Sequence, residues 1–198
     1  SAGWRLSIEE IAQSARRFFF EERYQKQYSQ MQPSPEIGIL VVGYSDNASL
    51  AEEYELTIQS PDSCLGPRLI RQSEECGATW YGQGEPITRL VLGYSNMLPA
   101  VLVDDLNVPQ DQVDPVMQLL QQKLQAPLVS PAMPIQDAID LAEFLIGVAV
   151  NFARFMPSPQ IVGGPIEVAA ITKHEGFKWI RRKHYFHSEL NPEMDGRI

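Results

Sequence analysis

The stretch from Ile135 to about Phe155 constrains this chain more than any other. It is the longest apolar-rich helical pattern present. Asp137, Asp140, Asn151 and Arg154 fall on one narrow stripe, Glu143 sits near its edge, and most of the remaining circumference is Ile, Leu, Val, Ala or Phe. A helix this apolar belongs inside a structure or at a subunit contact. Pro127, Pro131 and Pro134 make the approach to it a stiff loop. No run in the chain reaches the ~18–20 uncharged apolar residues needed to span a bilayer, so no membrane partner is expected.

Elsewhere the period of the pattern changes twice. Ser7-Ile8-Glu9-Glu10 reads as a capping box, followed by Ile8, Ile11, Ala12, Ala15, Phe18 and Phe19 at spacings of three and four. This predicts one helix to about Gln30, ahead of Pro33. Ile37–Tyr44 is a short apolar run that predicts a strand covered on both faces. Tyr54, Leu56 and Ile58 then alternate with polar residues. A loop with Pro61, Gly66 and Pro67 leads to a short strand near 68–72, and Cys76–Tyr81 reads as another. From Glu85-Pro86 the chain turns helical, with Ile87, Leu90, Val91 and Tyr94 on one side. A second amphipathic helix carries Val113, Met117, Leu120 and Leu124. Two final strands are joined by a tight connection at His174-Glu175-Gly176. Strands grouped between helices fit an α+β plan better than alternating βαβ units.

At 198 residues, 44% hydrophobic and 21% charged, the chain is expected to close one domain, 1–198, with a real core. A polar tail at 188–198 is expected to be loose. The net charge of −9 argues against nucleic acid as a partner. Residues from Lys173 onward carry +2 against −11 for the remainder, an asymmetry suited to subunit contacts. Cys64 and Cys76 form neither a disulfide framework nor a metal spacing, which favours the reducing cytoplasm.

The familiar nucleophile, phosphate-loop and zinc motifs are absent. His184, His187 and Glu189 would diverge on a strand, and Asp104-Asp105 and Asp137/Asp140 read as solvated acids. No cofactor or metal is expected. Two glycine pairs stand out: Gly82-Gln83-Gly84 at a strand-to-helix junction, and Gly163-Gly164 before a strand. Both suit sharp turns or close backbone approach. The bend is expected at Gly163.

Taken in order, Gly77-Ala78-Thr79-Trp80-Tyr81-Gly82-Gln83-Gly84 before a helix, the long apolar helix, and Gly163-Gly164-Pro165-Ile166-Glu167-Val168-Ala169-Ala170-Ile171-Thr172 form a pattern. It resembles the C-terminal three quarters of a proteasome-type subunit of the N-terminal-nucleophile (Ntn) hydrolase superfamily. The likeness is best over 77–94 and 135–180, and 95–134 reads as an insertion. The resemblance implies a four-layer αββα sandwich and a homo-oligomer, in a ring or smaller. It implies peptide-bond hydrolysis by an N-terminal Thr whose own amine serves as base.

The strands that carry that Thr and its supporting Asp and Lys have no counterpart here. The catalytic residues are therefore unassigned, and a preceding segment or a second polypeptide is expected to supply them. The family's supporting Asp and Ser fall near Pro159 and Val162, and its junction Ser is replaced by Gln83. What carries over by position is backbone for an oxyanion or pocket at Gly82, Gln83, Gly84, Gly163 and Gly164. Ser1 has too short a strand behind it, Ala2–Arg5, to serve as nucleophile. The leading expectation is a threonine-type peptidase subunit. The alternative is a non-catalytic assembly subunit of the same fold. A small-molecule binding module is a third.

Overall fold

The first helix forms where its cap dictates. The Ser7 hydroxyl accepts the Glu10 amide at 3.2 Å, and the Glu10 carboxylate accepts the Ser7 amide at 2.7 Å. Each side chain thus satisfies an amide that the helix leaves unpaired. In the computed structural model, which describes residues 6–46, 48–71, 75–157 and 162–183, α1 spans Ile8–Arg16. It continues through a π-helical stretch, Arg17–Tyr24, into α2, Gln25–Tyr28.

The π stretch corrects the expected apolar face. Ile8 and Ala12 are buried as anticipated, but Phe18 and Phe19 are 41% and 44% exposed, and Phe20 and Tyr24 are buried in their place. The wider turn, marked by the Gln25 amide bonding to the Phe20 carbonyl, shifts the phase of the helical stripe.

This helix covers one side of an antiparallel meander: β1 (Ile37–Gly43), β2 (Glu52–Ser60) and β3 (Ser63–Arg71), in that spatial order. Phe20, Tyr24 and Ile58 are the centre of the contact, with Tyr28, Ile37, Ile39 and Cys64 packed around them. Tyr24 donates its hydroxyl proton to the Pro35 carbonyl, and Gln25 Nε2 donates to that of Pro61 at 3.0 Å. At the other end the Ile8 amide donates to Ser45 Oγ, which donates to Glu52.

Two expectations for the sheet change. Among the described residues of its own unit β1 is covered on one face only, because Leu40 and Val42 lie 44% and 39% exposed on the side away from the helix. An apolar run signals strand but not how many layers cover it. β3 begins at Ser63 rather than near 68 and runs through Gly66-Pro67, with register irregularities against β2. The open face also carries Leu65, opposite Thr57, and two cross-strand ion pairs, Glu53–Arg71 and Glu55–Arg68.

The remaining helices are α3 (Glu85–Leu92), α4 (Leu98–Asp104), α5 (Gln110–Leu124) and α6 (Ile135–Arg154). Residues 95–134 thus hold two helices. Ile87 and Val91 of α3 bury against Leu145 and Ala149 of α6, with Trp80, Leu128 and Leu141 alongside. Tyr94 lies beyond the end of α3, and Leu90 is 43% exposed. Cys76–Tyr81, expected as a strand, forms none, for no described strand pairs with it. The final hairpin joins β4 (Val168–Thr172) to β5 (Gly176–Arg181) through Lys173-His174-Glu175. The Glu175 amide closes that turn on Thr172 Oγ1 at 3.0 Å.

The architecture is mixed α+β. The chain divides into two compact units, Ser1–Cys76 with Ala170–Lys178, and Gly77–Ala169 with Trp179–Ile198. No helix among the described residues is long and apolar enough to cross a membrane. Ser1, His184, His187, Glu189 and the 188–198 tail lie outside the described residues.

Candidate functional site

The Gly82-Gln83-Gly84 junction is shaped by its neighbours. Gly82 takes a φ of +72°, which favours glycine. Gly84 is the N-cap of α3, and a Cβ there would lie 2.5 Å from Trp80 Cδ1. The backbone can therefore pass under the indole only because residue 84 has no side chain. The indole in turn donates from Nε1 to Thr88 Oγ1 at 2.9 Å, and Thr88 is buried. This fixes Trp80 over the first turn of α3. Pro86 then occupies a helix-start position where a missing amide is no loss.

Of the three junction amides, that of Gly84 is committed: it donates to the Gly82 carbonyl at 2.9 Å. The Gly84 carbonyl accepts from Thr88 at 2.8 Å, closing the first helical turn. At the second pair the left-handed φ, +92°, falls on Gly164 and not on Gly163. That corrects the expected position of the bend. Both residues of this pair are exposed.

Glu85, the first residue of α3, gathers the loop beyond the helix. Its carboxylate accepts from Ser95 Oγ at 2.6 Å, from Arg89 Nε at 2.6 Å and from the Asn96 amide at 2.8 Å. The Ser95 hydroxyl above all, with the Asn96 amide and Arg89, holds its pKa below the ordinary carboxylate value against the opposing effect of desolvation. The sequence reading missed this hub. Its one local signal was the Glu85/Arg89 spacing of four. A carboxylate so fully engaged is a structural clamp rather than a free proton acceptor.

A cleft of about 390 Å³ opens between the Gly77–Tyr81 segment and α6. Trp80, Ile87, Met133, Leu141, Leu145 and Ile146 are among its walls, and the lining holds no carboxylate, imidazole, amine or thiol. Such a cleft can hold an apolar group but supplies no general acid or base of that kind. None of Gly82, Gln83, Gly84, Gly163 and Gly164 lines it.

Asp104, Asp105, Asp137 and Asp140 are exposed. Asp140 accepts from Gln136 Nε2 at 2.8 Å. Among the described residues no cluster of three or more His, Cys, Asp and Glu side chains could hold a metal ion. No family model, curated protein or solved structure matches this chain.

Proposed function

We propose that this chain is a proteasome-like Ntn-hydrolase subunit. In this reading it provides the helix-backed sheet and outer helices of a four-layer αββα sandwich. Peptide bonds are hydrolysed when a strand beginning with Thr completes the second sheet, and the subunits assemble as a ring or a smaller oligomer. The observation that carries the reading is the one-sided meander. A helix seals one face of β1–β2–β3, whereas the other face presents Leu40, Val42 and Leu65 to solvent. Glu53, Glu55, Thr57, Arg68 and Arg71 share that outer face, so Leu40, Val42 and Leu65 are apolar positions within a mixed surface, and in this reading they are where the second sheet would pack. In the active form Thr supplies its hydroxyl as nucleophile and its α-amine, of near-neutral pKa, as base. Backbone at Gly82-Gln83 and at Gly163-Gly164 would lie beside the reacting carbonyl.

A second reading, a non-catalytic subunit of the same fold, is favoured by a specific feature. The Gly84 amide is already bonded to Gly82 and cannot also stabilise an oxyanion. Incubating the complete protein with fluorogenic peptides, with and without a Thr-directed covalent inhibitor, separates the two. Hydrolysis abolished by the inhibitor supports the peptidase. No hydrolysis from a folded, assembled protein supports the structural subunit.

A further inference from the structure

Helix α6 packs one stripe, with Leu141, Leu145 and Ala149, against the α3 core and leaves another open among the described residues of its own unit. On the open stripe Phe144 is 53% exposed and Phe155 81% exposed, and between them lie Gly147 and Asn151. These residues, with Val148 and Phe152, line a shallow groove of about 460 Å³. Gly147 stands in the interior of a 20-residue helix, where glycine costs about 1 kcal/mol relative to alanine. Among the described residues the missing Cβ relieves no contact, since no atom outside its own helix would lie within 4 Å of it. Such a glycine is useful where another backbone comes close.

The charges along the stripe indicate which backbone. Asp140 lies seven residues before Gly147 and Arg154 seven residues after it, each about two turns away and therefore on the same face. The arrangement suits the helix dipole of a single chain. It also makes the face complementary to itself. An antiparallel copy with its two-fold axis at Gly147 sets Asp140 of each chain opposite Arg154 of the other, twice. A parallel copy sets like charges together. Phe144 and Phe155 then fill the grooves beside the closest approach, and Asn151 keeps its bond to the Gly147 carbonyl, 2.8 Å, within its own helix.

We propose that this face of α6 binds a second copy of the same chain as an antiparallel helix pair centred on Gly147, with reciprocal Asp140–Arg154 ion pairs. The proposal stands independently of the peptidase reading, because it needs no catalytic group.

Sedimentation equilibrium on the full chain tests it, with an expected dimer dissociation constant of about 10 μM. Asp140→Arg or Arg154→Asp alone should weaken association by about tenfold or more, and the double reversal should restore it to within about threefold. Gly147→Leu should raise the melting temperature yet abolish association. A wild-type chain that stays monomeric at about 100 μM overturns the proposal. So do single reversals that leave the dimer intact, or a double reversal that stays dissociated. Should a reversal fail to fold, Gly147→Cys reports instead. A 147–147 disulfide between chains under mild oxidation supports the dyad, and its absence refutes it.

Discussion

The indole of Trp80 donates to the buried hydroxyl of Thr88 at 2.9 Å, so a ring outside the helix is fixed to a residue one turn inside it. Thr88→Val keeps the shape and removes the acceptor, leaving the half-buried indole N–H without its partner. A loss of about 1–2 kcal/mol is expected by denaturant unfolding. Thr88→Ser should recover most of it.

The same ring makes Gly84 the more sensitive position. A methyl group there would lie 2.5 Å from Trp80 Cδ1, so Gly84→Ala must displace the indole. The expected cost is about 1–3 kcal/mol, accompanied by a change in tryptophan emission. Unchanged emission and stability would show that the ring does not rest against residue 84.

Glu85 sets an acid-sensitive contribution. Its folded pKa is depressed, chiefly by the Ser95 hydroxyl. The unfolded chain therefore takes up the proton first as pH falls. The stabilisation is fully present above the unfolded value of about 4.3 and is lost as pH falls through the lower folded value. Glu85→Gln should lower stability at pH 7 and flatten its decline in this acid window. A decline equal to that of the parent would refute the role.

The two glycines before β4 should respond differently. Gly164 has a φ of +92° and Gly163 is outside the left-handed region. Gly164→Ala should therefore cost about 1 kcal/mol in melting experiments, and Gly163→Ala less. The reverse order would return the bend to Gly163.

The cysteines should label at separate rates. Cys76 is exposed, whereas Cys64 is half-buried against the Phe20–Tyr24 cluster, and burial pushes its thiol pKa up despite the nearby Arg16. Less thiolate and less access both slow alkylation. Titration with a thiol reagent at neutral pH should give one fast and one slow phase. Cys76→Ser should remove the fast one.

Features written in neighbouring residues were legible in the sequence. The Ser7/Glu10 cap, the burial of Leu56 and Ile58, the extent of α6 and the β4–β5 turn all depend on spacings within a few positions. What failed depends on partners farther away or on identical signals. Nothing in Arg17–Tyr24 announces a π-helix, so the phase that buries Phe20 and exposes Phe18 could not be read. The β1 run is equally apolar whether one layer covers it or two. Cys76–Tyr81 has strand-like composition but no described strand beside it. Two adjacent glycines give no indication of which one bends. At the candidate site the junction itself was visible, but the Trp80–Thr88 bond and the Glu85 clamp reach across eight to eleven residues and required coordinates.

The helix-backed meander has a consequence for the order in which this protein forms. Its helix, its three strands and the cluster of Phe20, Tyr24 and Ile58 all come from residues 8–71, with each strand paired to its nearest neighbour in sequence. Short loops between partners mean little entropy lost in closing them and rapid folding. A ribosome that has released residue 71 has released the helix, the three strands and the Phe20–Tyr24–Ile58 cluster, so these can pair during synthesis, before α6 and the residues 170–178 that join the same compact unit have been translated.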